Sequence, residues 1–268
     1  MPEVEENNVE WEPPPPPSSK EEPKEEPQMS EVATLGNIFF EPENTFRDLR
    51  RKPRFIIAGI IIALLVTAYT FGIAMKVGDA GIRSFISDQI DKNPTTQNLD
   101  KDAKERAIDL QMKIGTYTRY AVPVFVIISF IIGGLLYWLG GKAFGGTGTF
   151  GGNLSVWIYS GFPPAVVAMM ANFIVLYFKS ADDIDLAASQ RGVIHANLGF
   201  FIGKDHPYIG TFLNTFDLFQ IWGWILAAIG LSVINKMSKA SAWTLILILV
   251  IIGLAFRMIS TYFSGNAA

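Results

Sequence analysis

Two histidines occur in the 268 residues, His195 and His206, and both fall in one loop between apolar segments. With Asp182, Asp183, Asp185 and Asp205 they form the one grouping that resembles a metal-ligand set. Metal sites draw three or four ligands with local pairing. The spacing here fits no such pattern, and solvated loop residues are the better reading. HExxH, the zinc-protease helix motif, does not occur. Ser160-Gly161 lies in an apolar segment, but no histidine shares that segment to serve as its base. No pair of acids lies within one apolar segment for aspartyl chemistry. There is no cysteine, which removes thiolate nucleophiles and thiolate metal sites. Gly146-Thr-Gly148-Thr-Phe-Gly151 spells GxGxxG, but a dinucleotide site needs a preceding strand and a following helix in a βαβ unit. These glycines join two apolar segments, so a flexible, tight connection is expected. No catalytic, cofactor-binding or metal residue emerges, and the chain does not read as an enzyme.

The polar residues that remain noteworthy are Asn172, Asp217, Gln220 and Arg257, because each lies in an apolar segment. A charge at mid-membrane costs about 2.5–3.5 kcal/mol unless it pairs or snorkels. These four form a candidate structural polar cluster, with a transport path as the competing use. Asp217 and Arg257 fall at similar depths on consecutive segments. A salt bridge is one outcome. The other is Arg257 reaching the headgroups while Asp217 sits in water.

Five segments must position these residues: about 55–75, 120–139, 155–178, 216–234 and 243–263. The first has 21 residues and no charge. It spans about 31 Å at helical rise, near the hydrocarbon thickness. Its Ile, Leu, Val and Phe side chains contribute roughly −3 to −6 kcal/mol of insertion free energy. Tyr120, Tyr137, Trp138, Trp157, Tyr177, Trp243 and Tyr262 lie near segment ends, where amphipathic rings prefer the interface. Pro163 and Pro164 are expected to interrupt the third segment. The fold class is therefore an all-α integral membrane protein, a bundle of five transmembrane helices.

Residues 1–34 carry ten Glu against Lys20 and Lys24, with a proline run from Pro13 to Pro17. Too little apolar surface is present to offset chain entropy, so this acidic tail reads as disordered. Residues 1–28 are expected to be dispensable for folding, and Met29 is an alternative start. Residues 35–268 then form the membrane domain. Just before the first span, Phe39, Phe40 and Phe46 supply apolar bulk, and Arg47, Arg50, Arg51 and Lys52 supply charge. They suit a short helix in the headgroup layer. A plain cationic flank that orients the next helix is the competing reading.

Loop 76–119 is long. Ile82, Phe85, Ile86 and Ile90 suggest one amphipathic helix, ending near Asn93-Pro94. Ala103, Ala107, Leu110, Ile114 and Tyr117 share the face of another, which runs on into Tyr120. Cations at 47–54 favour a cytoplasmic N-terminus and an external C-terminus.

FFEPENTFRDLRRKP before the first helix resembles the entry motif of the YIP family, the Ypt-interacting proteins. GGKAFGGTGTFGG leading into WIYSGFPPAV, and LNTFDLFQIWGWILAAIGLS further on, are similar to the elements that follow it. The similarity covers about residues 35–262. It implies a five-helix membrane domain with a cytoplasmic N-terminus. Eukaryotic relatives bind Rab-type GTPases. This chain looks more like a bacterial member of the inner (cytoplasmic) membrane, and GTPase binding is not carried over. The expected role is a non-catalytic bundle organising lipids or membrane and cytoplasmic protein partners, a second copy of the chain among them. No nucleic-acid partner is expected. The alternative is a transporter or channel subunit using the outer polar cluster, against which stand the odd helix count and the missing internal repeat.

Overall fold

In lipid each backbone N–H and C=O must be satisfied within the protein, so apolar runs become helices. The computed structural model describes residues 26–93, 95–186, 189, 192–194, 196–202 and 206–264, and no strand occurs among them. Its helices are α1 (Glu31–Asn37), α2 (Pro42–Arg51), α3 (Ile56–Lys92), α4 (Lys101–Ala143), α5 (Phe150–Phe178), α6 (Pro207–Thr215), α7 (Leu218–Ile234) and α8 (Lys239–Ser264). α3, α4, α5 and α8 are long and apolar enough to cross a membrane, and α6 with α7, bent by 43°, meets the same test only when the two count as one broken span.

The fourth span differs from the expected 216–234. α7 has 17 residues, about 26 Å, which falls short of a ~30 Å hydrocarbon core. α6, expected to be loop, supplies the rest. The third span also differs. α5 runs unbroken through Pro163 and Pro164 and starts at Phe150, capped by the Thr149 side chain. Neighbouring helices commonly compensate prolines inside membrane helices.

α5 is the centre of the bundle and packs against α2, α3, α4 and α7. Val156 and Tyr159 on it are essentially inaccessible. Small residues let the neighbours approach, as membrane interfaces favour. A Cβ on Gly133 of α4 would run into the Trp157 ring, and one on Gly134 would lie 3.1 Å from Leu154 Cα. On α7 a Cβ at Gly230 would lie 2.8 Å from Val156 and 2.9 Å from Phe46.

α3 and α4 outrun the membrane. Their lengths, about 55 and 64 Å at helical rise, leave a two-helix hairpin on the side away from the N-terminus. Gly78, at φ 70° and ψ 171°, breaks the helical geometry of α3 where the hairpin leaves the bundle. Ile86, Ile90 and Ile108 form a separate core between its arms. Arg83 bridges Glu105 and Asp109, and Lys104 meets Asp91 at 2.6 Å. The hydrogen bonds to Asp109 and then Glu105 push the Arg83 guanidinium above its ordinary pKa.

The tail expected over 1–34 lies outside the described residues as far as residue 25, including Pro13 to Pro17. Residues 31–34 belong to α1, whose N-cap Ser30 accepts from Ala33 N–H.

The short basic helix packs against the bundle rather than standing apart from it. α1 and α2 fold as a pair along α7. Phe46 and Leu49 are fully buried, whereas Phe40 is 85% exposed. The Phe39 ring meets Phe162 at 6.1 Å and Trp222 at 6.2 Å. Arg50 reaches the Val233 carbonyl at 3.2 Å. The pair thus extends from the end of α7 to Trp222, about 18 Å deeper at 1.5 Å per residue. The groove left by Gly230 receives Phe46, so apolar bulk assigned to lipid is used against protein.

Candidate functional site

The N-terminal face of the bundle gathers three segments distant in sequence: the α1–α2 pair, the glycine-rich connection after α4, and the turn after α7. Asp48 organises the first. It is 1% exposed, accepts from Gln28 N–H, and forms an ion pair with Arg54. Arg51 stands 4.0 Å from the same carboxylate. Arg54 also donates to the Met29 carbonyl. A carboxylate so enclosed requires such partners, since an uncompensated buried charge costs several kcal/mol.

Asn235 organises the other two. Its Nδ2 donates to Asn153 Oδ1 at 2.9 Å, and Asn153 Nδ2 donates back at 3.0 Å. Asn153 is fully buried and Asn235 is 1% exposed. Asn153 Nδ2 also donates to the Thr149 carbonyl at 2.9 Å, and Thr147 N–H donates to the Asn235 carbonyl at 3.0 Å. Two of the GxGxxG glycines, Gly146 and Gly148, close on this pair, while Gly151 faces Pro53. A Cβ on Gly146 would lie 2.8 Å from Asn235 Cβ, and one on Gly148 would overlap its side-chain oxygen. Expected as a flexible, tight connection, the segment is tight because it cradles a buried amide pair. Nothing in the sequence joins Asn153 to Asn235; the unexplained glycines were the available signal. Around this closed centre Arg47, Arg50, Lys52, Lys142, Lys236 and Lys239 are exposed. Arg47 pairs with Glu43. The exposed surface is cationic over an apolar, hydrogen-bonded interior, an arrangement suited to anionic headgroups or acidic protein segments.

The four membrane polar residues do not form one cluster. Asn172 is buried on α5, and its Oδ1 accepts from Val193 N–H at 2.6 Å and Ile194 N–H at 3.0 Å. Asp217 caps α7 by accepting from Phe219 N–H at 2.9 Å, and it takes Ala196 N–H at 3.2 Å. Both therefore fasten the loop that precedes α6. Gln220 is exposed. Arg257 donates to Thr215 Oγ1 at 3.4 Å. No ion pair joins Asp217 to Arg257: the break before α7 turns the carboxylate toward residues 196 and 197.

His195 and Asp205 lie outside the described residues, and His206 is exposed. Among the described residues no three His, Asp or Glu gather as a metal site would. An open cleft between α3 and α5 is lined mainly by apolar groups, with Lys76 at its edge.

The Yip1 domain model matches residues 36–259. Membrane protein YknW of Bacillus subtilis is 25% identical over 237 residues, covering 86% of this chain and 91% of that protein. No solved structure matches.

Proposed function

The chain belongs to the Yip1 domain family of membrane proteins, and from that premise we propose a non-catalytic scaffold that organises partners or lipids at its N-terminal face. The observation that carries the reading is how the interior polar groups are used. Asp48, Asn153, Asn172 and Asn235 hold segments together, while Arg47, Arg50, Lys52, Lys142, Lys236 and Lys239 of the N-terminal face stay exposed. The proposed location is a bacterial inner membrane. Its N-terminal side faces the cytoplasm, since cytoplasmic loops carry the excess of Lys and Arg. The occupants of that face are anionic lipids and membrane or cytoplasmic proteins, among them a second copy of this chain.

A transporter or channel subunit is the competing reading. It draws on Arg257 and Gln220, and its weakness is that Asn172 and Asp217 are engaged by backbone. The two readings separate by experiment. A photocrosslinking amino acid at Lys142 or Lys236 should give discrete products in native membranes, and the same residue at Leu247 on the exposed flank of α8 should not. Unreacted protein at the first two positions, with solute flux in proteoliposomes, would favour transport.

A further inference from the structure

The α6–α8 seam holds a cation whose setting is built but incomplete. Thr211 and Thr261 share a hydrogen bond at 2.7 Å, both fully buried or nearly so. One turn deeper on each helix stand Thr215 and Arg257. Thr215 donates to the Thr211 carbonyl at 3.0 Å and accepts from Arg257 at 3.4 Å. A guanidinium has five N–H donors, and this long contact engages one. No carboxylate approaches it among the described residues, although Asp217 is two residues from Thr215.

The surroundings say what could reach it. Taking Trp243 as the near interface, Arg257 lies about 21 Å along α8, in the far half of a ~30 Å hydrocarbon layer. Its neighbours Ile252, Phe256 and Ile259 are 47%, 69% and 54% exposed. Helical side chains lean toward the preceding turn. There Gly253 leaves open space, because a Cβ built on it meets nothing within 4 Å. The notch therefore opens beside an exposed apolar flank of α8, the kind of surface that suits lipid.

We propose that Arg257, seated by Thr215 over the Gly253 notch, binds the phosphate of a phospholipid drawn from the far leaflet. The planar guanidinium fork matches two phosphate oxygens. The ligand goes beyond the scaffold reading, whose binding face lies at the opposite membrane surface. Failure here leaves that reading standing.

The test uses full-length protein in neutral detergent, as wild type, Arg257→Gln and Arg257→Met. Each receives phosphatidylglycerol, phosphatidylcholine or soluble glycerol phosphate. Retained lipid is counted by native mass spectrometry, and the thermal midpoint is followed. Wild type should retain one phospholipid more than either variant, and its midpoint should rise by several degrees with phospholipid. Both variants should lose most of that rise. Arg257→Met should remain folded without lipid, because it removes an unpaired charge from an apolar setting. Equal retention in all three proteins would overturn the proposal. So would an equal effect of glycerol phosphate, or unfolding of Arg257→Met in detergent alone.

Discussion

The buried amide pair is the most consequential residue-scale feature. Replacing Asn153 or Asn235 with Ala leaves the other amide buried without its partner. Each single change should lower stability by about 1–3 kcal/mol, measured by detergent unfolding. Their double-mutant cycle should show a coupling of about 0.5–3 kcal/mol. Gly148→Ala should be as damaging as either, because its methyl group would clash with the Asn235 oxygen and lie 2.9 Å from the Asn153 nitrogen. Coupling near zero would mean that the two amides do not depend on each other. The sequence exposed the glycines but not their reason, which is contact between residues 82 positions apart. Asp217 and Arg257 were visible as polar residues in apolar runs. Their partners were not, because a 43° break between α6 and α7 decides which way the carboxylate points.

At the scale of elements, apolar runs and amphipathic spacing made the long helices legible. α4 runs unbroken from Lys101 past Tyr120, the continuity expected of it, but the stripe read for it is not its packed face: Leu110, Ile114 and Tyr117 are exposed and Ile108 is buried instead. The α1–α2 pair was legible only as composition. Phe46 and Arg50 suit lipid headgroups as well as a protein groove, and the choice depends on Gly230 of a helix far along the chain. The anchoring of this pair is testable by truncation. Removing residues 1–25 should leave thermal stability unchanged. Removing residues 1–30 takes away the Gln28 N–H, the Met29 carbonyl and the Ser30 cap. It should cost about 1–3 kcal/mol, seen as a lower midpoint for the second truncation alone. Equal midpoints would show that these contacts do not hold the pair. The α3–α4 hairpin is braced by exposed ion pairs, which salt screens. Its helicity should therefore rest on Ile86, Ile90 and Ile108 and persist at high ionic strength.

For the whole molecule, counting the α6–α7 pair as one span gives five, and five spans would put the two termini on opposite sides. Reporter fusions after Ala268 and within 140–154 should accordingly report opposite compartments, the second one cytoplasmic. The same compartment for both would refute five spans. On the scaffold reading, the polar interior fastens the bundle and lines no aqueous path. A path through the helices would pass α5, which packs against α2, α3, α4 and α7. The chain has no cysteine of its own, so Ser155→Cys and Ser160→Cys, at buried positions of α5, can each be probed alone. The decisive measurement is their reaction with a membrane-impermeant thiosulfonate applied to either side of intact vesicles. No modification is expected until the protein is denatured. Rapid modification of either residue in the folded protein would contradict it.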